Sequence, residues 1–166
     1  MSSAKGSQYE REIARLLGGW WCGDRHALWR TSGSGSHARF SNTGHGDIGV
    51  VKPEAAPFPI TVECKNTKAW SWKLLLESDT RGPKLFRFWE QLQREKTPAS
   101  LGLLIFKGNF TCSFVMLRRS DLILLGWKSG RSGTTLILRK PRVAVVRLDD
   151  FLAAVKPEQI RLNFAG

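Results

Sequence analysis

Cysteine is scarce and scattered in this chain. Its three copies, Cys22, Cys64 and Cys112, are odd in number and far apart, with no C-x-x-C pair. That spacing argues against a disulfide framework and against a zinc finger. Cys22 and His26 could share a metal, but two ligands do not make a site. Free thiols suit a reducing cytosol, so a cytoplasmic protein is expected. Long apolar runs are missing too. Stretches such as Leu101 to Phe106 are far too short to span a bilayer, and Met1 to Gln8 has no apolar core of the kind a signal peptide needs. Acid is in short supply: 26 Lys and Arg face 14 Asp and Glu, a net charge of +12. Such an excess favours a polyanionic partner, nucleic acid first and an anionic membrane surface second.

What is present suits a globular domain. At 166 residues, 42% hydrophobic and 24% charged, the chain is long enough to build a core without staples. No repeat and no second domain is visible, so residues 1–166 are expected to form one unit. Ser7-Gln8-Tyr9-Glu10 fits a capping box. Tyr9, Ile13, Leu16 and Leu17 follow at helical spacing, and Gly18-Gly19 predicts the helix end. Ala27–Arg30 reads as a short strand. Thr31–Gly46, rich in Gly, Ser, Thr, His and Asn, reads as a mobile loop. Asp47–Val51 and Ile60–Lys65 read as strands separated by a turn from Pro53 to Pro59. Gly82-Pro83 opens a second helix with a buried stripe of Leu85, Phe86, Trp89 and Leu92. Gly108-Asn109 predicts a two-residue hairpin between Leu101–Lys107 and Phe110–Leu117. Strands over Thr134–Arg139 and Arg142–Leu148 follow, then a short helix from Asp149 or Asp150. The order predicts an α/β fold, a mixed β-sheet flanked by helices, with basic strands across 108–148.

The chemistry concentrates in "TVECKN", Thr61 to Asn66. Residues two apart on a strand share a face. Ile60, Val62 and Cys64 therefore point to the core, while Glu63 and Lys65 share the opposite face with Thr61. Asp47 opens the preceding strand. If the two strands neighbour each other, its carboxylate approaches that of Glu63, and the like charges repel unless a cation lies between them. Two carboxylates plus water suit Mg²⁺, with the Cys64 backbone carbonyl as a further oxygen. Mn²⁺ accepts the same ligands. Lys65 beside such a metal could orient or deprotonate a water and steady a phosphate, which is the equipment of phosphodiester hydrolysis. E-x-K alone is a weak signal. Its bland alternative is a surface ion pair worth under about 1 kcal/mol. The ordered set of an upstream helical Glu, an acid at a strand start and the E-x-K strand is more specific.

That order, Glu10, Asp47, Glu63-Cys64-Lys65, resembles the PD-(D/E)xK nuclease superfamily. "KGSQYERE" (Lys5 to Glu12), "WRTSGS" (Trp29 to Ser34), "GDI" (Gly46 to Ile48) and "VECKNTK" (Val62 to Lys68) look like the archaeal-type Holliday junction resolvases. The resemblance runs from about Ala4 to Lys107 and fades beyond. It implies a restriction-endonuclease-like fold and a metal-dependent, structure-specific endodeoxyribonuclease acting on four-way DNA junctions as a homodimer. By the same resemblance Glu10 supports the metal, through water in one version. Arg11 contacts phosphate, Arg30 and Ser34 act near the scissile phosphate, Asp47 and Glu63 bind metal, Lys65 acts on water and phosphate, and Lys68 holds the DNA backbone. The family's usual Pro before the Asp is Gly46 here, which changes the turn and not the ligand chemistry. Other readings stay open: another nuclease of the superfamily, of restriction or repair type, and a DNA-binding module without catalysis.

Several further features carry less. His37 and Arg39 lie in the 31–46 loop, where a basic segment could reach into a junction's centre. Trp70 and Trp72 read first as packing and second as base-stacking platforms. Gly44-x-Gly46-x-x-Gly49 matches a dinucleotide-binding string but lies ahead of a strand, not between a strand and a helix, so nucleotide binding is not expected there.

Overall fold

A computed structural model describes residues 3–31, 46–67, 84–108, 111–139 and 141–164. Along the chain run α1 (Ser3–Cys22), β1 (Leu28–Arg30), β2 (Ile48–Val50), a 3-10 turn at Pro53–Ala55, β3 (Ile60–Thr67), α2 (Lys84–Glu95), β4 (Leu101–Gly108) and β5 (Phe114–Arg118). Then come α3 (Arg119–Leu124), β6 (Thr135–Leu138), β7 (Val143–Arg147), α4 (Leu148–Ala154) and α5 (Pro157–Phe164). A five-stranded sheet has the order β3-β4-β5-β7-β6, with β3 and β4 parallel and the other pairs antiparallel, and β1 and β2 form a separate ribbon. This is the expected mixed sheet flanked by helices. Among the described residues no helix is long and apolar enough to cross a membrane.

Each face of the sheet carries its own core. Ile60, Val62, Leu103, Ile105, Val115 and Val146 pack beneath α1 and the C-terminal helices, which contribute Ile13, Leu17, Phe151 and Ile160. Leu104, Phe106, Met116 and Val145 pack against α2 through Leu85, Trp89 and Leu92. Burial on both faces is what a parallel pair requires. The face of β3 that bears Thr61 and Glu63 is therefore covered as well. Thr61 is 0% and Glu63 4% exposed. The Thr61 hydroxyl is satisfied by that of Ser100 at 2.9 Å, so only the C-terminal end of this face reaches solvent.

α1 departs from the sequence reading at both ends. It begins at Ser3, which places Ser7 and Glu10 inside the helix rather than in a capping box. It also runs through Gly18-Gly19 to Cys22. Gly18 is there for a different reason: a Cβ on it would lie 2.6 Å from the Asp24 carbonyl oxygen, because the returning chain passes over this turn. The terminator is Gly23, at φ +78, whose N–H donates to the Gly19 carbonyl at 3.1 Å. Left-handed glycine just past the last turn is the ordinary way to end a helix.

The β4–β5 connection differs as well. A two-residue turn at Gly108-Asn109 would pair Phe106 with Thr111. The chain instead pairs Phe106 with Phe114 and Ile105 with Val115. The turn signal loses to the hydrophobic pattern, since the tighter register would set Thr111, Cys112 and Ser113 opposite core residues. The Thr111 hydroxyl accepts from the Gly108 N–H at 2.9 Å at the end of β4. Two short helices, α3 and α5, were not foreseen, and α4 starts at Leu148, one residue before the expected acids.

The Gly18 contact gives a paired prediction. Gly18→Ala should destabilise the fold by about 1–3 kcal/mol, because a methyl must displace backbone. Gly19→Ala, which meets only the Arg25 side chain at 3.4 Å, should be neutral or gain up to about 1 kcal/mol from helix propensity. Urea melts of the two variants measure the difference; equal effects would contradict the close-approach explanation.

Candidate active site

β3 is an outer strand of the sheet, and Asp47 closes its free edge. The Asp47 N–H donates to the Val62 carbonyl at 2.7 Å. One rung further, the Asp47 carboxylate takes the place of a partner strand, accepting from the Cys64 N–H at 2.7 Å. The Asp47 carbonyl in turn accepts from the Thr31 N–H at 2.9 Å, and the Thr31 hydroxyl bonds the Gly46 carbonyl. β1, β2 and β3 are thus stitched together around one aspartate. Gly46 makes the approach possible. It sits at φ +107, and a Cβ there would lie 2.9 Å from the Val62 oxygen. Proline, whose ring holds φ near −65°, cannot adopt that turn, so the change from the resembled motif has a local cause.

Glu63 and Lys65 point the same way from β3, as their spacing requires. Their side chains form an ion pair, with Glu63 5% and Lys65 25% exposed. The Lys65 ammonium also lies 4.9 Å from the ring centre of Phe88 on α2. From α1, Glu10 reaches Arg30 at the end of β1, with Oε2 3.2 Å from Nε. The structure therefore gathers Glu10, Arg30, Asp47, Glu63, Cys64 and Lys65 from α1, β1, β3 and the bend ahead of β2. Arg11 is half-buried on α1, one residue from Glu10. Ser34, His37, Arg39 and Lys68, with Trp70 and Trp72, lie outside the described residues.

The electrostatics are those of a site short of positive charge. Burial, then the neighbouring charge of Glu63, pushes the Asp47 carboxyl up to about 6, against the Cys64 N–H and Lys65, with Glu10 adding a smaller upward push. Burial alone would lower Lys65, but the bond and charge of Glu63 and the charge of Asp47 outweigh it, so the ammonium is held above its ordinary value. Lys65 is in this state a cation and donor, not a base. Burial pushes the Cys64 thiol well up, and its side chain belongs to the core, so Cys64 offers only backbone. In an extended strand a residue's N–H and C=O leave on the same side. The Cys64 carbonyl therefore opens on the edge that Asp47 occupies.

These residues fit a divalent cation of a particular kind. Among the described residues no group of three or more His, Cys, Asp or Glu side chains is arranged to hold a metal by itself, and Glu10 is engaged with Arg30. A cage of protein ligands, as for Zn²⁺ or Ca²⁺, is not what the site offers. Two carboxylates in mutual repulsion, with an adjacent carbonyl, match an ion that keeps several of its waters.

Two basic residues escaped the sequence reading. Lys5 and Lys107 line a cleft of about 320 Å³ with Tyr9, Glu12 and Asn66, at the C-terminal ends of β3 and β4. The Lys107 ammonium lies 3.3 Å from Glu12 and 4.6 Å from the ring centre of Tyr9. Lys107 pairs with Asn66, and only the parallel register reveals it, because parallel strands bring their C-terminal ends together.

Fold and cluster together define a nuclease of the PD-(D/E)xK superfamily, whose members typically use divalent metals. More narrowly, the family model described as "Phage putative PDDEXK endonuclease" matches residues 1–162, and the chain belongs to that family. The match supports the superfamily and nuclease chemistry, not the narrower archaeal-type resolvase resemblance. No curated protein and no solved structure matches the chain significantly.

The raised Asp47 predicts a pH-dependent cost in the metal-free protein. A carboxyl with a folded pKa of about 6 against an ordinary 3.8 binds its proton more readily when folded. Stability should therefore rise as pH falls through that interval, and the full cost should be present above it. Asp47→Asn, which keeps an oxygen for the Cys64 N–H, should stabilise the EDTA-treated chain by on the order of 1–3 kcal/mol near pH 7.5 and lose that gain below about pH 4. Thermal melts across pH check this; a variant less stable than the native chain near pH 7.5 would contradict it.

Proposed function

We propose that this chain is a metal-dependent, structure-specific endodeoxyribonuclease that resolves four-way DNA junctions by paired phosphodiester hydrolysis. One observation carries the catalytic half: Asp47 is clasped onto the edge of β3, beside Glu63 and within charge reach of Lys65. Asp47, Glu63 and the Cys64 carbonyl would hold Mg²⁺, or Mn²⁺ in its place. When bound, the cation polarises a phosphoryl oxygen and lowers the pKa of a coordinated water. The chain's own residues do the rest. Lys65, kept protonated by Glu63, offers a fixed positive donor to the charge that grows on the phosphate. Glu10 holds Arg30 at the mouth of the site, where its guanidinium can meet a phosphate in two-point fashion. Arg11 and Lys68 would extend the contact along the backbone, His37 and Arg39 would reach toward the junction's centre, and Ser34 would act near the scissile group.

The junction half rests on the four ordered motifs and on the +12 charge. Recognition would run through shape and phosphates rather than base edges, and affinity should fall steeply with salt. Paired incision needs two active sites, which a homodimer supplies. The family match fits a second reading equally, another PD-(D/E)xK nuclease acting on a different DNA structure.

Competition between a labelled four-way junction and a linear duplex of the same sequence, with Mg²⁺ titrated and then chelated, separates these. The junction should be cut preferentially, and EDTA should stop the cutting. Asp47→Asn and Glu63→Gln should each lower the rate by at least about 100-fold while leaving junction binding largely intact. Equal cleavage of both substrates would favour the second reading. Absence of any metal-dependent nick would leave a DNA-binding module, and undiminished nicking by either variant would remove that residue from catalysis.

A further inference from the structure

A larger groove lies on the same face of the sheet as Glu63 and Lys65, beyond α2. It encloses about 1020 Å³ between α2, the start of α3 and the β6–β7 hairpin. Register builds it. Arg118 pairs with Val143 in the β5–β7 ladder, Leu138 pairs with Val143 in the β6–β7 ladder, and the Arg119 N–H donates to the Arg142 carbonyl at 3.1 Å. Two segments some 20 residues apart in sequence thus deliver Arg118, Arg119, Arg139 and Arg142 to one rim. Glu63 pairs with Leu104 and Leu104 with Met116. Arg118 therefore lies two residues along and two strands across from Glu63, roughly 10–15 Å away.

The lining is chemically one-sided. It has four arginines and no acid. All four are exposed, and none forms an ion pair with a described residue. Burial, and after it the charge of Arg118, holds the nearby Lys96 ammonium below its usual range, against the opposing charge of Asp121. The floor is apolar: Leu138 and Val143 line it above Trp89, and Ile123 at its side is 62% exposed. At the inner end Gln93 packs over Gly102, and its amide nitrogen and oxygen are buried without a hydrogen-bond partner.

Charge of one sign calls for a polyanion, and the floor decides which. Duplex DNA presents phosphates and keeps its bases stacked inside, so it would leave Ile123 facing water. An unpaired strand turns its bases outward. Bases can then lie on apolar side chains and on guanidinium planes while the phosphates meet arginine.

We propose that this groove binds an unpaired DNA strand outside the catalytic centre, so that branched DNA carrying a single-stranded segment is a substrate class beside the four-way junction. The inference rests on the reading of the chain as a DNA nuclease and adds a substrate class to it. The catalytic cluster then receives duplex at a branch, and the far side of α2 holds the strand that leaves it.

Binding is measured on the full-length Asp47→Asn chain in EDTA, by fluorescence anisotropy across a salt series. The probes are a labelled oligothymidylate of about 20 nucleotides and a duplex of equal length. Arg118→Gln/Arg142→Gln should weaken oligothymidylate binding about tenfold or more and reduce the salt slope by about 1.4, the value for two lost phosphate contacts on a single strand. Ile123→Ser, which leaves every charge in place, should weaken oligothymidylate binding several-fold and leave duplex binding unchanged. Oligothymidylate affinity unaltered in both variants would overturn the proposal, and so would equal losses on duplex and single strand. Metal and cleavage play no part in this assay. An inactive chain with a working groove and an active nuclease with a silent one therefore give different results.

Discussion

The hydrogen bond from the Cys64 N–H to the Asp47 carboxylate organises the rest of the site. An outer strand has a row of backbone groups without a neighbour, and a second strand would usually pair them. Here β2 touches β3 only at its entrance, and the side chain of Asp47 supplies the next rung. The bond holds the carboxylate where burial and Glu63 both work against its charge. It also accounts for Gly46, since no other residue lets the chain pass this close to Val62 at positive φ. Fold and chemistry therefore share one contact: what fastens the β1–β2 ribbon to the sheet also crowds two carboxylates.

Around that contact the charges are arranged in pairs that hold one another in place. Glu63 keeps Lys65 protonated, and Lys65 rests against Phe88. Glu10 pairs with Arg30 across α1 and β1. Each pair is partly buried, where a lone charge would be costly and a matched one is fixed in direction. In a nuclease such fixing is useful, because donors aimed in advance need not reorganise as phosphate charge develops. Phe88 shows that α2 belongs to this site at one end, while Trp89 and Gln93 line the arginine groove at its other side. A single amphipathic helix therefore walls both.

Much of this was legible in the sequence, for physical reasons. Alternation in "ITVECK" placed Glu63 and Lys65 on one face because strand geometry leaves no choice, and Asp47 declared itself as an acid at the start of a β-rich run. The pieces that stayed hidden depend on partners distant in the chain. Burial of Thr61 and Glu63 needs α2 overhead. The passage of α1 through Gly18-Gly19 depends on packing against the Asp24 turn, which no local signal at those glycines reveals. The Gly108-Asn109 turn signal was outweighed by cross-strand pairing of Phe106 with Phe114. The arginine rim appears only once β5, β6 and β7 are placed in register. In α5 a signal was present and unread, since Pro157 sits at the first helical position.

The central claim is that Asp47 and Glu63 share one divalent ion at the edge of β3. Anomalous diffraction from crystals of the native chain grown with Mn²⁺ tests it most directly. The account predicts an anomalous peak between those two carboxylates and beside the Cys64 carbonyl. A peak bound elsewhere on the chain with this pocket empty, or no bound ion at all, would contradict it.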